Sequence, residues 1–184
     1  MRIESSFEVP ADRSAAWALL MDVRRVVPCM PGAELVEEVD ESNWKANMNV
    51  KMGPIALTFA TDVRREEADE DAGRVLLSAR AREIRGRGAA QATIESRLAA
   101  ADGGTSIGVV TDLALSGAVA RYGRGIVLDV TEQLVTQFAD GLRAELEGQE
   151  AGRPQDARQA KPVSGLRLVL HALWGSITRP FRRG

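Results

Sequence analysis

Two neighbouring segments that alternate apolar and polar residues constrain the fold more than any other feature of the chain. They span residues 43–52 and 55–63, and Gly53-Pro54 separates them. A period of two residues is that of a β-strand with one buried face, and a Gly-Pro pair favours a turn. The sequence therefore predicts a β-hairpin whose buried side carries Trp44, Ala46, Met48, Val50 and Met52, then Ile55, Leu57, Phe59, Thr61 and Val63.

The rest of the first 147 residues predicts further strands and two helices. Strands are expected at 2–9, 33–39, 74–84, 88–99 and 105–115, and a short helix at 11–21. Residues 26–32 read as a turn region, because prolines and a glycine interrupt them. Ser116-Gly117 is expected to open a long helix to about Leu146. Its buried stripe would hold Val127, Val130, Leu134, Phe138 and Leu142.

This pattern predicts an α+β fold in which a curved antiparallel sheet wraps around one long C-terminal helix. Inward positions on the later strands are small, namely Ala79, Ala81, Ala90 and Ala92. Small side chains there allow either an apolar cavity or a closer approach of the helix. A cavity would accept apolar ligands held by few polar groups. Its expected walls are Met48, Val50, Leu57, Phe59, Ala79, Ala92, Ile94, Val109, Leu113, Tyr122, Arg124, Val127, Val130 and Leu134.

Residues that support common kinds of catalysis are scarce, so we predict a protein that is not an enzyme and holds no metal. The only histidine, His171, lies near the C-terminus, and Cys29 is the single cysteine. This removes histidine-based triads and most zinc sites from the body of the chain. We expect Cys29 to be a small buried apolar residue rather than a reactive thiol. Residues 86–91 only begin like a dinucleotide-binding glycine motif. The acidic residues Glu66, Glu67, Asp69, Glu70 and Asp71 are predicted to form a solvated turn.

Charge divides the chain into an acidic body and a basic tail. Residues 1–156 contain 18 basic and 26 acidic residues, whereas residues 157–184 contain six basic and no acidic ones. An acidic body argues against nucleic acid as a partner, and a basic tail favours an anionic one. Residues 148–163 contain almost no large apolar side chains and are predicted to be a disordered linker.

Residues 164–184 are predicted to form a basic tail whose amphipathic helix, from Ser164 to about Arg179, lies on a membrane surface. The apolar stretch is too short and too interrupted to span a bilayer. The alternative is a helix that docks in a groove on the body or on a partner protein. The residues expected to contact the membrane are Leu166, Arg167, Leu170, Leu173, Trp174, Ile177, Phe181, Arg182 and Arg183.

Several local strings resemble one known family. They are residues 27–33, Lys51-Met52-Gly53-Pro54-Ile55, residues 86–92 and residues 117–125. Over roughly residues 1–147 the chain resembles the CoxG-like family, which is named for a subunit of carbon monoxide dehydrogenase and belongs to the START-type helix-grip (SRPBCC) superfamily. The resemblance implies a helix-grip fold with a ligand cavity. It also implies association with a molybdenum carbon monoxide dehydrogenase, or a related hydroxylase, at the cytoplasmic membrane.

The resemblance and the tail together suggest a carrier of a lipophilic molecule. The expected ligand is an isoprenoid respiratory quinone, of menaquinone type, with its head near Tyr122 or Arg124. The protein would be cytoplasmic and peripheral on the inner face of the cell membrane. The alternative is a membrane-recruitment adaptor or an assembly factor for the dehydrogenase that has no small-molecule ligand.

Overall fold

The computed structural model describes residues 1–52 and 55–150, without the side chains of Met52, Gln149 and Glu150. The predicted linker from residue 151 onward and the whole predicted tail lie outside the described residues. Within the described part, seven antiparallel strands form one curved sheet in the order β1-β7-β6-β5-β4-β3-β2. The strands are β1 Arg2–Val9, β2 Ala33–Asp40, β3 Asn43–Met52, β4 Ile55–Asp69, β5 Arg74–Glu83, β6 Gly88–Ala101 and β7 Gly104–Gly117.

The helices lie in two places along the chain, between β1 and β2 and after β7. Between β1 and β2 lie α1 Arg13–Met21, α2 Val23–Val26 and a 3-10 turn Val27–Cys29. After β7 come a second 3-10 turn, Ala118–Tyr122, and the long helix α3 Gly123–Glu150. The predicted fold, a curved sheet with one long C-terminal helix, is therefore confirmed.

Three boundaries differ from those expected from the sequence. The predicted turn region 26–32 begins with helical residues: Val26 is the last residue of α2, which the Asp22 side chain caps by accepting from the backbone amides of Arg24 and Arg25, and Val27–Cys29 form the 3-10 turn. The long helix begins at Gly123 rather than at Ser116-Gly117. Gly117 and Gly123 both have positive φ, which breaks the backbone on either side of the 3-10 turn. The helix also continues through Glu150, so residues 148–150 belong to α3 and not to the linker.

The acidic segment was also misassigned in part. Glu66, Glu67 and Asp69 lie in β4 and not in a turn. In this part β4 pairs with β5, and two side chains of β5 bind its carboxylates: Ser78 Oγ donates to Glu66 Oε1 at 2.6 Å, and Arg74 forms an ion pair with Glu67. A register shift between Arg65 and Glu67 marks a β-bulge that bends the strand at this point.

A close approach between α3 and the first 3-10 turn anchors the C-terminal half of the helix. A Cβ atom added at Gly141 would lie 2.7 Å from the carbonyl oxygen of Cys29 and 2.8 Å from its Cα atom. Only glycine permits this contact, which places Leu142 and Leu146 in the main core. The same cluster holds Trp17, Leu19 and Ile107, so this core fills one end of the molecule.

Candidate functional site

The strand register places the predicted cavity residues of the sheet on one common face. Met48 pairs with Phe59, and Val50 with Leu57. Ala79 pairs with Ala92, which in turn pairs with Leu113 on β7. Ile94 and Val109 occupy the same face, through pairs with Leu77 and Ser96 respectively. Because directly paired residues of antiparallel strands point to the same side, these nine side chains share the inner surface of the sheet.

Burial divides that inner surface into two closed ends and an open middle. The main core closes one end. At the other end Leu57, Phe59 and Val119 are buried, with Met48, Val50 and Tyr122 packed against them. Between the clusters, Ala79, Ala92, Ile94 and Leu113 remain only half-buried. Apolar side chains in the centre of a sheet are normally covered completely, so the middle of this surface keeps more access to solvent than its two ends do.

The long helix shows the same division along its length. Ala139, Leu142 and Leu146 in its C-terminal half are buried, whereas Val127, Val130 and Leu134 in its N-terminal half are half-buried. The predicted apolar stripe is thus present, but only its last turns are sealed. Water-accessible apolar surface on both the helix and the inner sheet face is what a lipophilic ligand would cover.

The two polar candidates of the site differ in position. Tyr122 is half-buried and packs against the cluster of Leu57, Phe59 and Val119. Arg124 is exposed in the first turn of α3. The structure therefore brings Tyr122 to the closed end of the apolar surface and leaves Arg124 facing solvent at the same end.

A buried carboxylate at this end was not predicted from the sequence. Glu83 is 4% exposed and pairs with Phe59 in the register, so it lies on the inner face. Its carboxylate accepts hydrogen bonds from the backbone amides of Arg85 and Arg87, and Arg87 Nη2 lies 3.2 Å from Glu83 Oε1. Burial alone would raise the pKa of Glu83, but the hydrogen bonds from Arg87 and Arg85 outweigh it and hold that pKa below its usual value.

The Glu83–Arg87 pair ties three segments together. Arg87 Nη2 donates to the carbonyl oxygen of Ala56 in β4, and the backbone carbonyl of Arg87 accepts from the amide of Val119. The start of β4, the turn 84–87 and the second 3-10 turn therefore meet beside the apolar surface. Every second residue from Val75 through Ala79 to Glu83 lies on one face of the strand. The alternation in the sequence is therefore a signal that the Glu83 carboxylate faces inward.

A second unpredicted charge lies further along the inner face. The Arg65 guanidinium lies over the Trp44 ring, 5.2 Å from its centroid, and donates to the carbonyl oxygen of Glu41 at 2.7 Å. Continuing the alternation of Leu57, Phe59, Thr61 and Val63 by one step would have identified Arg65 as inward-facing. The inner surface is therefore apolar with a charged group towards each end.

Cys29 behaves as predicted, as a buried member of the main core. Burial, together with the nearby negative charge of Glu145, raises the pKa of its thiol to about 11. The thiolate, which is the nucleophilic form, is thus scarce at neutral pH.

Metal-binding clusters and membrane-spanning helices are both absent from the described part of the chain. Among those residues, no group of three or more His, Cys, Asp or Glu side chains could hold a metal ion. Likewise, no helix within residues 1–52 and 55–150 is both long and apolar enough to cross a bilayer. The predicted membrane-binding residues 166–183 lie outside the described residues and stay predictions.

Solved structures of distant sequence share this fold. A conserved protein from Geobacillus kaustophilus superposes with a TM-score of 0.73 at 18% identity, over 81% of this chain and 97% of its own. The Zhui aromatase/cyclase from Streptomyces sp. R1128 gives 0.58 at 14% identity, over 82% and 95%. A START superfamily protein from Mycobacterium smegmatis gives 0.54 at 13% identity, over 80% and 98%. These neighbours confirm the START-type helix-grip fold, and one of them is an enzyme, so the fold alone does not decide between binding and catalysis.

Sequence comparison assigns the family. No curated protein sequence matches the chain significantly. The family model for CoxG, a subunit of carbon monoxide dehydrogenase, matches residues 5–147. This range contains every strand from β2 to β7 and nearly all of α3, including the whole half-buried apolar surface. The chain therefore belongs to the CoxG family of carbon monoxide dehydrogenase subunits.

Proposed function

We propose that this protein is a non-catalytic carrier that binds an isoprenoid quinone, of menaquinone type, and couples a molybdenum carbon monoxide dehydrogenase to the respiratory chain. The observation that supports this most directly is the half-buried apolar surface between the middle of the sheet and the N-terminal half of α3. The family supplies the enzyme partner, because its name links the chain to carbon monoxide dehydrogenase.

The chemistry of the partner reaction explains why a quinone fits. Oxidation of carbon monoxide with water gives carbon dioxide, two electrons and two protons. A quinone that takes up both electrons and both protons becomes a quinol, so the exchange balances without a further reactant. The isoprenoid tail would occupy the apolar surface, and the hydroxyl of half-buried Tyr122 could donate a hydrogen bond to a quinone carbonyl.

Direct analysis of the bound molecule tests the proposal. We expect the full-length protein, purified from a quinone-producing host without detergent, to release a quinone on organic extraction, identified by mass spectrometry. Protein stripped of lipid should take up added menaquinone in a saturable manner. A polar ligand in the extract, or stripped protein that binds no added quinone, would contradict the proposal and favour an adaptor or assembly factor without a ligand.

The predicted tail gives the second expectation of this proposal. Removing residues 151–184, which follow the last described residue of α3, should leave the melting temperature unchanged. It should weaken binding to anionic vesicles about 100-fold or more, since the tail offers six apolar side chains and several arginines. Sedimentation with vesicles and thermal unfolding measure the two effects.

Charged substitutions in the tail of the full-length protein serve as the control for the truncation, because they keep the length of the chain. Leu170→Glu with Trp174→Glu should reproduce the vesicle defect of the truncation, because both residues are among those expected to contact the membrane. If these variants bind vesicles normally but lose the purified dehydrogenase, the tail docks on a protein and its assignment as a membrane anchor is wrong.

A further inference from the structure

Beyond the tail, the folded domain carries its own concentration of positive charge at one end. Three segments meet there: residues 49–58, 80–92 and 114–128. Together they contain seven basic residues and a single acidic residue, Glu83, although the body as a whole has a net charge of −8. Glu83 is buried and already paired with Arg87. The outer surface of this end is therefore basic on a domain that is otherwise acidic.

Hydrogen bonds and register show that these segments are neighbours. Lys51 pairs with Ala56, whose carbonyl oxygen accepts from Arg87. The amide of Ile84 donates to the carbonyl of Thr58, and the amide of Val119 donates to the carbonyl of Arg87. We call this end the rim and define it by its outward-facing residues, which are Lys51, Ile84, Arg85, Arg121, Arg124 and Ile126.

The charges of the rim are available to a partner. Lys51, Arg85, Arg121 and Arg124 form no ion pair with any described residue, whereas eleven ion pairs occupy other charges of the described chain. Two aliphatic side chains stand among these cations: Ile84 is 61% exposed and Ile126 is 45% exposed. Unpaired cations beside exposed aliphatic tips are the combination with which proteins bind anionic bilayers, because the charges attract headgroups and the tips enter the interface.

We propose that the rim is a membrane-docking surface of the folded domain, which places this end of the domain, next to the half-buried N-terminal half of α3, against an anionic phospholipid bilayer. The inference deepens the proposed carrier function, since it states how the binding surface meets the membrane from which a lipophilic ligand is taken. Charge complementarity and the exposed isoleucines carry the argument.

The test reports on the rim separately from the tail, using the full-length protein throughout. Ile84→Cys would be labelled with an environment-sensitive fluorophore. Cys29 is buried, so labelling goes to the introduced thiol. With vesicles of phosphatidylglycerol and phosphatidylcholine in equal amounts, we expect a blue shift and quenching by brominated lipid. The matched control is Ala72→Cys, an exposed position in the acidic turn between β4 and β5, at most roughly 40 Å from Ile84 along the strands, which should show neither change.

Neutralisation of the rim gives an independent measurement. Arg85→Gln with Arg121→Gln and Arg124→Gln should weaken binding to the same vesicles at least tenfold at low salt. The control removes the same number of charges elsewhere, with Arg2→Gln, Lys45→Gln and Arg97→Gln. Vesicle binding of this control should change less than threefold, because those exposed cations are already paired.

Three results would overturn the rim proposal. The first is equal behaviour of the fluorophores at positions 84 and 72, and the second is equal vesicle affinity of the two triple variants. The third is that the rim variant binds vesicles normally but loses the purified dehydrogenase, which would make the rim a protein interface. Failure of the rim is distinguishable from failure of the carrier function, because quinone in the organic extract reports on the carrier alone.

Discussion

Replacing Ala92 by phenylalanine should weaken quinone binding roughly 100-fold while the domain stays folded. Ala92 lies in the middle of the inner sheet face, between Ala79 and Leu113, and remains half-buried. A phenyl ring there would occupy space that the proposed isoprenoid chain needs. Excluding three or four methylene groups from an apolar site costs about 3 kcal/mol, at about 0.8 kcal/mol each, which corresponds to that factor. Saturation binding of menaquinone to stripped protein measures the loss.

The free energy of unfolding of the same variant distinguishes an open site from a filled one. If the middle of the sheet is open, the ring enters unoccupied space, and the free energy of unfolding changes by less than about 1 kcal/mol. If side chains filled the space, the added ring would overpack it and cost about 1–3 kcal/mol. The control is Gln91→Phe on the exposed outer face of the same strand, which should leave quinone binding unchanged. A normal affinity for Ala92→Phe would show that the ligand, if present, lies elsewhere.

The second large effect is expected at the buried Glu83. Glu83→Ala should lower the melting temperature by roughly 5–15 °C, because it removes the partner of Arg87 and the acceptor of two backbone amides in the turn 84–87. Glu83→Gln keeps the shape and one acceptor oxygen, so its loss should be smaller. Thermal unfolding at neutral pH gives both values. If Glu83→Ala melts like the unmodified protein, the carboxylate does not organise this end of the domain.

The pKa of Glu83 gives this effect a defined dependence on pH. Because the folded-state pKa is lower than the unfolded-state value of about 4.3, the ionised form stabilises the folded state. That contribution is fully present above the unfolded-state pKa and is lost as pH falls through the folded-state pKa. The difference in melting temperature between the unmodified protein and Glu83→Gln should therefore be largest near pH 7 and shrink below about pH 4. A difference that grows on acidification would contradict the assignment.

Much of the sheet was predictable because its faces meet different environments. The segments 2–9, 43–52 and 74–84 were predicted to within one residue of the observed strands. Each has an apolar side turned inward and a polar side turned to solvent, so the pattern in the sequence is strong. The same alternation, followed two residues further in two strands, would have placed Glu83 and Arg65 inside as well. They were missed because a charged residue is assumed to face water until a partner is known.

Features that depend on contacts between distant segments were not predictable in this way. The strand β4 continues to Asp69 paired with β5, where Ser78 and Arg74 bind its carboxylates. The start of the long helix at Gly123 follows the close packing of Gly117 on Gly88, where an added Cβ atom would lie 2.7 Å from the Gly88 Cα atom. Both contacts depend on which residues of two different strands face each other, and the pattern within a single strand does not show that.

The sequence by itself determined the alternation that makes the sheet, the amphipathic stripe of the long helix and the unequal distribution of charge between body and tail. These are local properties, because polar residues that face water and apolar residues that face the core recur with the period of their own strand or helix. Only the tertiary structure decided that the apolar stripe is sealed at its C-terminal half and open at its N-terminal half. It also decided that seven basic residues from three separate segments gather at the end of the domain where α3 begins. The physical reason is the same in both cases: packing and charge clustering depend on which segments meet, and that is set by the fold of the whole domain.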